Sequence, residues 1–210
     1  MPNIFLTPLT CFYNEVQYLN ILLKGHMDLP IANASVFVEI IGVMNAVETT
    51  NVGGEINLLI KDLLPGSYKI VLSFEGDDNY NGTVLYQDFI VNKIPVKIIA
   101  NKKKFKLKNK HKKYSVILKD HEGNPIKNVK VRLIVKKMGK KSKNDKQNKG
   151  KHNKKVKSNK KRNIVKTNNQ GKATFKLKKI NKKGKYMATV KYYGDVYFNK
   201  SIQKAKLIIK

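Results

Sequence analysis

The chain carries one run of short motifs twice. The first copy reads Thr50-Asn51-Val52-Gly53-Gly54-Glu55-Ile56-Asn57-Leu58, then Pro65-Gly66-Ser67-Tyr68, and after a strand-like stretch Gly76-Asp77 and Asn81-Gly82-Thr83. The second reads Thr167-Asn168-Asn169-Gln170-Gly171-Lys172-Ala173-Thr174-Phe175, then Gly184-Lys185-Tyr186, Gly194-Asp195 and Asn199-Lys200-Ser201. From Gly66 and Gly184 to Thr83 and Ser201 the copies stay 118 residues apart without a gap. An internal repeat constrains architecture before any other signal, because each copy must be one folding unit. It also argues against an enzyme, since a duplicated module rarely builds one active site.

At 210 residues there is room for two domains of about 100 residues. The repeat places them at 1–93 and 94–210, joined by the short, proline-ended link Asn92-Lys93-Ile94-Pro95. Such a link predicts a semi-rigid tandem. Net charge separates the halves. Residues 1–93 hold four lysines against ten carboxylates, a net of −6, whereas 94–210 hold 40 basic side chains against Asp120, Glu122, Asp145 and Asp195, a net of +36. Only Arg132 and Arg162 are arginines. A lysine surface attracts polyanions diffusely, without the bidentate fork that arginine offers phosphate. A coding bias toward Lys, Asn and Ile accounts for the same composition.

Both copies alternate apolar and polar residues at the period of a strand with one buried face. Val36, Val38 and Ile40 alternate in the first, as do Ile56, Leu58 and Ile60, and Tyr68, Ile70, Leu72 and Phe74. Val129, Val131, Leu133 and Val135 do so in the second, followed by Ala173, Phe175 and Leu177, and by Tyr186, Ala188, Val190 and Tyr192. Lysine takes the outward places of the second copy. Turn signals recur every 8–12 residues, and no window has a capped 3.6-residue period, so the chain reads as all-β sandwich with almost no helix. Asn51–Gly54 and Asn168–Gly171 read as hairpin turns needing positive φ. Tyr68 and Tyr186, each two residues after a glycine at a strand start, occupy the tyrosine-corner position of Greek-key sandwiches.

The step from Val36 to Thr50 is 14 residues, but from Val131 to Thr167 it is 36. The surplus lies within Lys136–Lys166, where 15 basic side chains against Asp145 leave a net of +14. A segment so charged and so poor in apolar residues is expected to be a disordered loop, about 137–163, swelling from a hairpin. It is the candidate polyanion-binding element through Lys136, Lys137, Lys140, Lys141, Lys143, Lys146, Lys149, Lys151, Lys154, Lys155, Lys157, Lys160, Lys161 and Arg162. Anionic cell-wall polymer or glycan is the expected partner, held through counterion release. Nonspecific nucleic acid is the alternative, although no aromatic residue interrupts the segment for base stacking.

The order Pro-Ile-x-Asn, Thr-Asn-x-x-Gly, Gly-x-Tyr and Gly-Asp-x-x-aromatic-Asn-x-Ser/Thr resembles the bacterial-type immunoglobulin-like repeats of methanogen (archaeal) adhesin-like surface proteins. The resemblance covers roughly 24–92 and 96–209. It implies two tandem immunoglobulin-like Greek-key β-sandwiches that serve outside the cell as stalk or display modules, without catalysis. The basic segment of the second copy departs from that pattern.

Chemistry beyond this is sparse. His26, His111, His121 and His152 fall in turns or in the basic segment, and Cys11 has neither a second cysteine nor a neighbouring histidine. No phosphate-binding glycine loop, His-Glu-x-x-His or Cys-x-x-Cys occurs, so no catalytic, cofactor or metal residues are expected. Asp77 and Asp195 share a repeat position and suit a turn better than calcium, which needs about 6–8 oxygen ligands. Sequons occur at Asn33, Asn81 and Asn199, candidates for glycosylation on an exported chain. No apolar run approaches the roughly 20 residues of a membrane span, and the N-terminus shows no signal-peptide pattern.

Overall fold

A computed structural model describes residues 1–7, 10–139, 163–178 and 180–210. The chain divides into two compact units, Met1–Ile94 and Pro95–Lys210. Unit 1 contains β1 (Asn3–Leu6), β2 (Thr10–Phe12), β3 (Gln17–Lys24), β4 (Ser35–Ile40), β5 (Met44–Thr49), β6 (Glu55–Ile60), β7 (Gly66–Gly76) and β8 (Asn81–Asn92). Unit 2 contains β9 (Lys97–Ile99), β10 (Lys103–Phe105), β11 (Lys113–Lys119), β12 (Lys130–Lys137), β13 (Asn163–Lys166), β14 (Lys172–Lys176), β15 (Gly184–Tyr192) and β16 (Ser201–Ile209). One 3-10 turn at His26–Asp28 is the sole helical element among the described residues.

Strand order is the same in both units. A three-stranded sheet runs β1-β3-β6 in unit 1 and β9-β11-β14 in unit 2; a five-stranded sheet runs β2-β8-β7-β4-β5 and β10-β16-β15-β12-β13. Pairings are antiparallel except at the first strand of each five-stranded sheet, where β2 lies parallel to β8 and β10 parallel to β16. The chain thus starts in one sheet and crosses at once to the other. It crosses again between β2 and β3, β3 and β4, β5 and β6, and β6 and β7. Two sheets linked by such crossings form an immunoglobulin-like Greek-key β-sandwich, and this protein is a tandem of two.

The alternating residues supply the cores. Leu19, Ile21 and Leu23 of β3 face Val36, Val38 and Ile40 of β4 and Ile70, Leu72 and Phe74 of β7 within one buried cluster. Tyr114, Val116 and Leu118 of β11 meet Val131, Leu133, Phe175, Val190 and Leu207 in the other. Burying each large aliphatic side chain stabilises the fold by about 1.5–3 kcal/mol, so both units are held chiefly by these faces.

Two expectations change. The segments Asn51–Gly54 and Asn168–Gly171 are not hairpin turns, because β5 and β6 belong to different sheets, as do β13 and β14. They carry the chain across the sandwich, and a backbone reversal alone does not tell the two uses apart. Nor does every lysine of unit 2 point outward. Lys112 is buried, and its Nζ donates to Leu107 O at 3.0 Å and to Asn109 O. β12 and β13 are antiparallel partners, so the expected basic loop joins a hairpin. Residues 140–162 of that loop, and its expected disorder, lie outside the described residues.

Candidate functional site

The repeated motifs converge at one end of each sandwich. Leu23 accepts a backbone hydrogen bond from Ile31 and donates one to Gly54 O; Leu118 does the same with Ile126 and Gly171. A Cβ on Gly54 (φ 73°) would sit 2.5 Å from Leu23 O, and one on Gly171 (φ 67°) would collide with Leu118 O. Positive φ and close backbone approach together leave room for glycine alone. In unit 1 the β7–β8 turn joins this knot, since a Cβ on Gly25 would lie 2.5 Å from the Tyr80 ring.

Each shared polar residue holds part of it. Thr50 Oγ1 donates to Ile31 O at 2.7 Å and accepts from Ala34 N at 2.9 Å, while Thr167 Oγ1 accepts from Val129 N at 3.1 Å. Asn51 Oδ1 accepts from Gly53 N and Glu55 N, and Asn168 Oδ1 from Gln170 N and Lys172 N. Asp77 Oδ1 accepts from Asn79 N and Tyr80 N at 2.8 and 2.9 Å; Asp195 Oδ1 accepts from Tyr197 N and Phe198 N, both at 2.9 Å. These carboxylates and amides close turns in the manner of Asx motifs. At the other end, Tyr68 Oη donates to Leu64 O at 2.7 Å and Tyr186 Oη to Lys182 O at 2.8 Å, each four residues upstream.

Of the sequon asparagines, Asn81 opens β8 and Asn199 lies two residues before β16, and both are exposed. Asn33 is exposed too, but its backbone is left-handed (φ 54°) and its N–H donates to Thr50 O. Asn128, its counterpart, has φ 57° and donates to Thr167 O, so the Pro-Ile-x-Asn motif uses asparagine for a conformation that other L-residues resist. The candidate polyanion residues Lys136 and Lys137 are exposed at the end of β12. The others, Lys140 to Arg162, lie outside the described residues.

Sequence reasoning put lysine on the outward strand positions of the second copy but did not name the residues that the sheet gathers into one basic surface. Arg132 stands opposite Lys191, which stands opposite Ile202; Thr189 stands opposite Lys204, and Met187 opposite Lys206. Arg132, Met187, Thr189, Lys191, Lys204 and Lys206 each adjoin a buried residue, and Ile202 shares their side of the sheet by register, so together they line the outer face of the five-stranded sheet. Arg132 Nη1 also donates to Tyr193 Oη at 3.1 Å. The described carboxylates of unit 2 (Asp120, Glu122 and Asp195) lie in the loops between strands. The signal was present as lysine at alternate positions, but cross-strand register is invisible in one dimension.

Burial raises the Tyr114 phenol, and two further groups have shifted acidity. Burial, then the nearby Glu15 carboxylate, pushes the Cys11 thiol up, which makes it a poor nucleophile. Burial also raises the Tyr192 phenol, reinforced by its 2.8 Å hydrogen bond to Asp195 Oδ2 and by that carboxylate's charge. Among the described residues no group of three or more His, Cys, Asp and Glu is placed to hold a metal ion, and no helix is long and apolar enough to cross a membrane.

No known family model matches the chain, and no curated protein does. Solved structures are similar in fold. The D0-D1 domain of intimin is 14% identical with a TM-score of 0.34, matching 99% of this chain and 100% of its own. Invasin, a bacterial integrin-binding protein, is 13% identical with a TM-score of 0.47; this chain matches over its whole length but spans 39% of invasin. The titin domains z1z2, solved in complex with telethonin, are 11% identical with a TM-score of 0.45 over 100% of this chain and 96% of theirs. At these identities and scores the likeness adds nothing to the topology described above.

Proposed function

We propose that the chain is a non-catalytic cell-surface module of adhesin-like type, in which two immunoglobulin-like sandwiches act as stalk or display domains. In this reading the basic second unit attaches the protein weakly and multivalently to anionic cell-wall polymer or glycan. The observation that carries it is the division of labour among polar residues. Those that recur in both units close turns and crossings, and the cations that distinguish unit 2 stand on a sheet face whose described strands carry no carboxylate. Scaffold is what the copies share; charge is where they differ. Lysine point charges on a flat face suit counterion release more than shape-specific readout.

The test is retention of the full chain on an immobilised polyglycerol phosphate or polyuronate, with double-stranded DNA as competitor. The reading expects affinity to fall steeply between about 50 and 200 mM salt and to follow the polymer's charge density. Salt-insensitive binding, or no retention at low salt, overturns it. Retention of DNA far above that of the wall-type polymers at physiological salt favours the alternative, an intracellular nucleic-acid-binding protein. Deletion of 140–160 is expected to remove most of the affinity, the sheet-face cations supplying the remainder, and to leave cooperative unfolding intact.

A further inference from the structure

The two units differ most on one face, the outer surface of the five-stranded sheet. In unit 1 that face is apolar. Val47 stands opposite Phe37, Phe37 opposite Ser73, and Ser73 opposite Val84, so one row crosses four strands. In the next row Asn45 stands opposite Glu39, Glu39 opposite Val71, and Val71 opposite Tyr86. Val47, Val84, Tyr86 and Ile90 are 66%, 50%, 68% and 51% exposed. Carboxylates are interspersed at Glu39 and at Asp88, which stands opposite Lys69, with Glu75 further along β7, so acidic charge prevails. A cluster of large exposed apolar residues interspersed with charge is the kind of surface that binds protein. The proposed attachment to polymers makes no use of it.

Position by position, unit 2 presents the complement on the same strands. Where unit 1 has Phe37, Ser73, Tyr86 and Asp88, unit 2 has Arg132, Lys191, Lys204 and Lys206. Apolar residues persist between these cations, with Ile164 and Ile202 being 45% and 56% exposed. One face is thus apolar and acidic, the other apolar and basic, and both belong to sheets of one strand order and similar expected twist. Like-charged faces do not favour meeting themselves, whereas the opposite pair does.

We infer that this protein self-associates head to tail: the outer five-stranded face of unit 1 in one copy docks on the outer five-stranded face of unit 2 in a second copy. The contact is heterologous: copies close into a reciprocal dimer or ring where the rotation between them allows it and otherwise extend as chains. Tyr86 is the anchor, a large amphipathic side chain on β8 opposite Val71 and two residues from Val84, with Lys204 and Arg132 receiving the carboxylates.

Sedimentation velocity of the full chain over a concentration series, at low and at physiological salt, tests this. The parent is expected to grow in mass with concentration, less so as salt rises. Tyr86→Lys, which installs the residue found at the matching place in unit 2, and the double variant Arg132→Glu/Lys204→Glu each weaken association at least about tenfold. Tyr86 and Lys204 are exposed and Arg132 is half-buried, and circular dichroism melts check that each variant remains folded. Mixed at equal concentration, the two variants are expected to form a dimer that neither forms alone, because each retains one good face. A parent that stays monomeric at every concentration overturns the inference. So does continued association of the Arg132→Glu/Lys204→Glu variant when Tyr86→Lys abolishes it, which would indicate first units meeting face to face. No polymer is present in this experiment, so its failure leaves polymer retention standing, and the reverse also holds.

Discussion

At the scale of the residue, the shared motifs are geometric requirements more than chemical ones. Gly54→Ala and Gly171→Ala each add a Cβ at positive φ against a backbone carbonyl, and each is expected to cost about 1–3 kcal/mol in denaturant unfolding. Tyr68→Phe and Tyr186→Phe each lose one hydrogen bond to a carbonyl, worth about 0.5–1.5 kcal/mol. The loss should be larger for Tyr186, whose ring is the more buried, and urea midpoints will rank the pair. Tyr192 adds a pH dependence. Its folded-state pKa lies above the unfolded value of about 10, so its stabilisation is fully present below pH 10 and is lost as pH rises through the folded value. Phe74 fills the matching place in unit 1, so Tyr192→Phe preserves packing. The stability gap between parent and Tyr192→Phe is expected to shrink above pH 10; a gap that stays constant to pH 12 contradicts this linkage.

At the scale of the element, alternation made the inward residues of β4, β6, β7, β12, β14 and β15 readable, because a period of two allows only two faces. What it left open was partnership. Asn51 and Gly54 carry turn chemistry, yet the same chemistry serves a hairpin and a crossing between sheets, and only the pairing of β6 with β3 decides for the crossing. Asn33 read as a sequon; its left-handed backbone, matched at Asn128, supplies a second reason for asparagine there. Lys112 read as one more outward lysine, and its burial follows from carbonyls at Leu107 and Asn109 that face it across a tight loop. The centre of unit 2 gives a firm test. Leu118 is fully buried on β11 between Ile98-bearing β9 and Phe175-bearing β14, and Leu118→Ala is expected to cost about 2–5 kcal/mol. Chemical denaturation with and without the substitution measures it.

At the scale of the whole molecule, one architecture carries net charges of −6 and +36 over residues 1–93 and 94–210, so the charge is not a folding requirement. It opposes folding of the second unit through self-repulsion, and salt screens that repulsion. Amide-exchange protection in β11 is therefore expected to rise between about 10 and 300 mM salt, and protection in β3 to change far less; equal responses would refute the charge argument. The amino-acid sequence by itself determined the repeat, the strand periodicity, the glycines and the charge asymmetry, since these are local or additive properties of the chain. Tertiary structure alone decided which strands are neighbours, and so which side chains share a surface. Phe37, Val47, Val84 and Tyr86 become one apolar face, and Arg132, Lys191 and Lys204 one cationic face, only because hydrogen-bonded register brings residues tens of positions apart within a strand spacing or two.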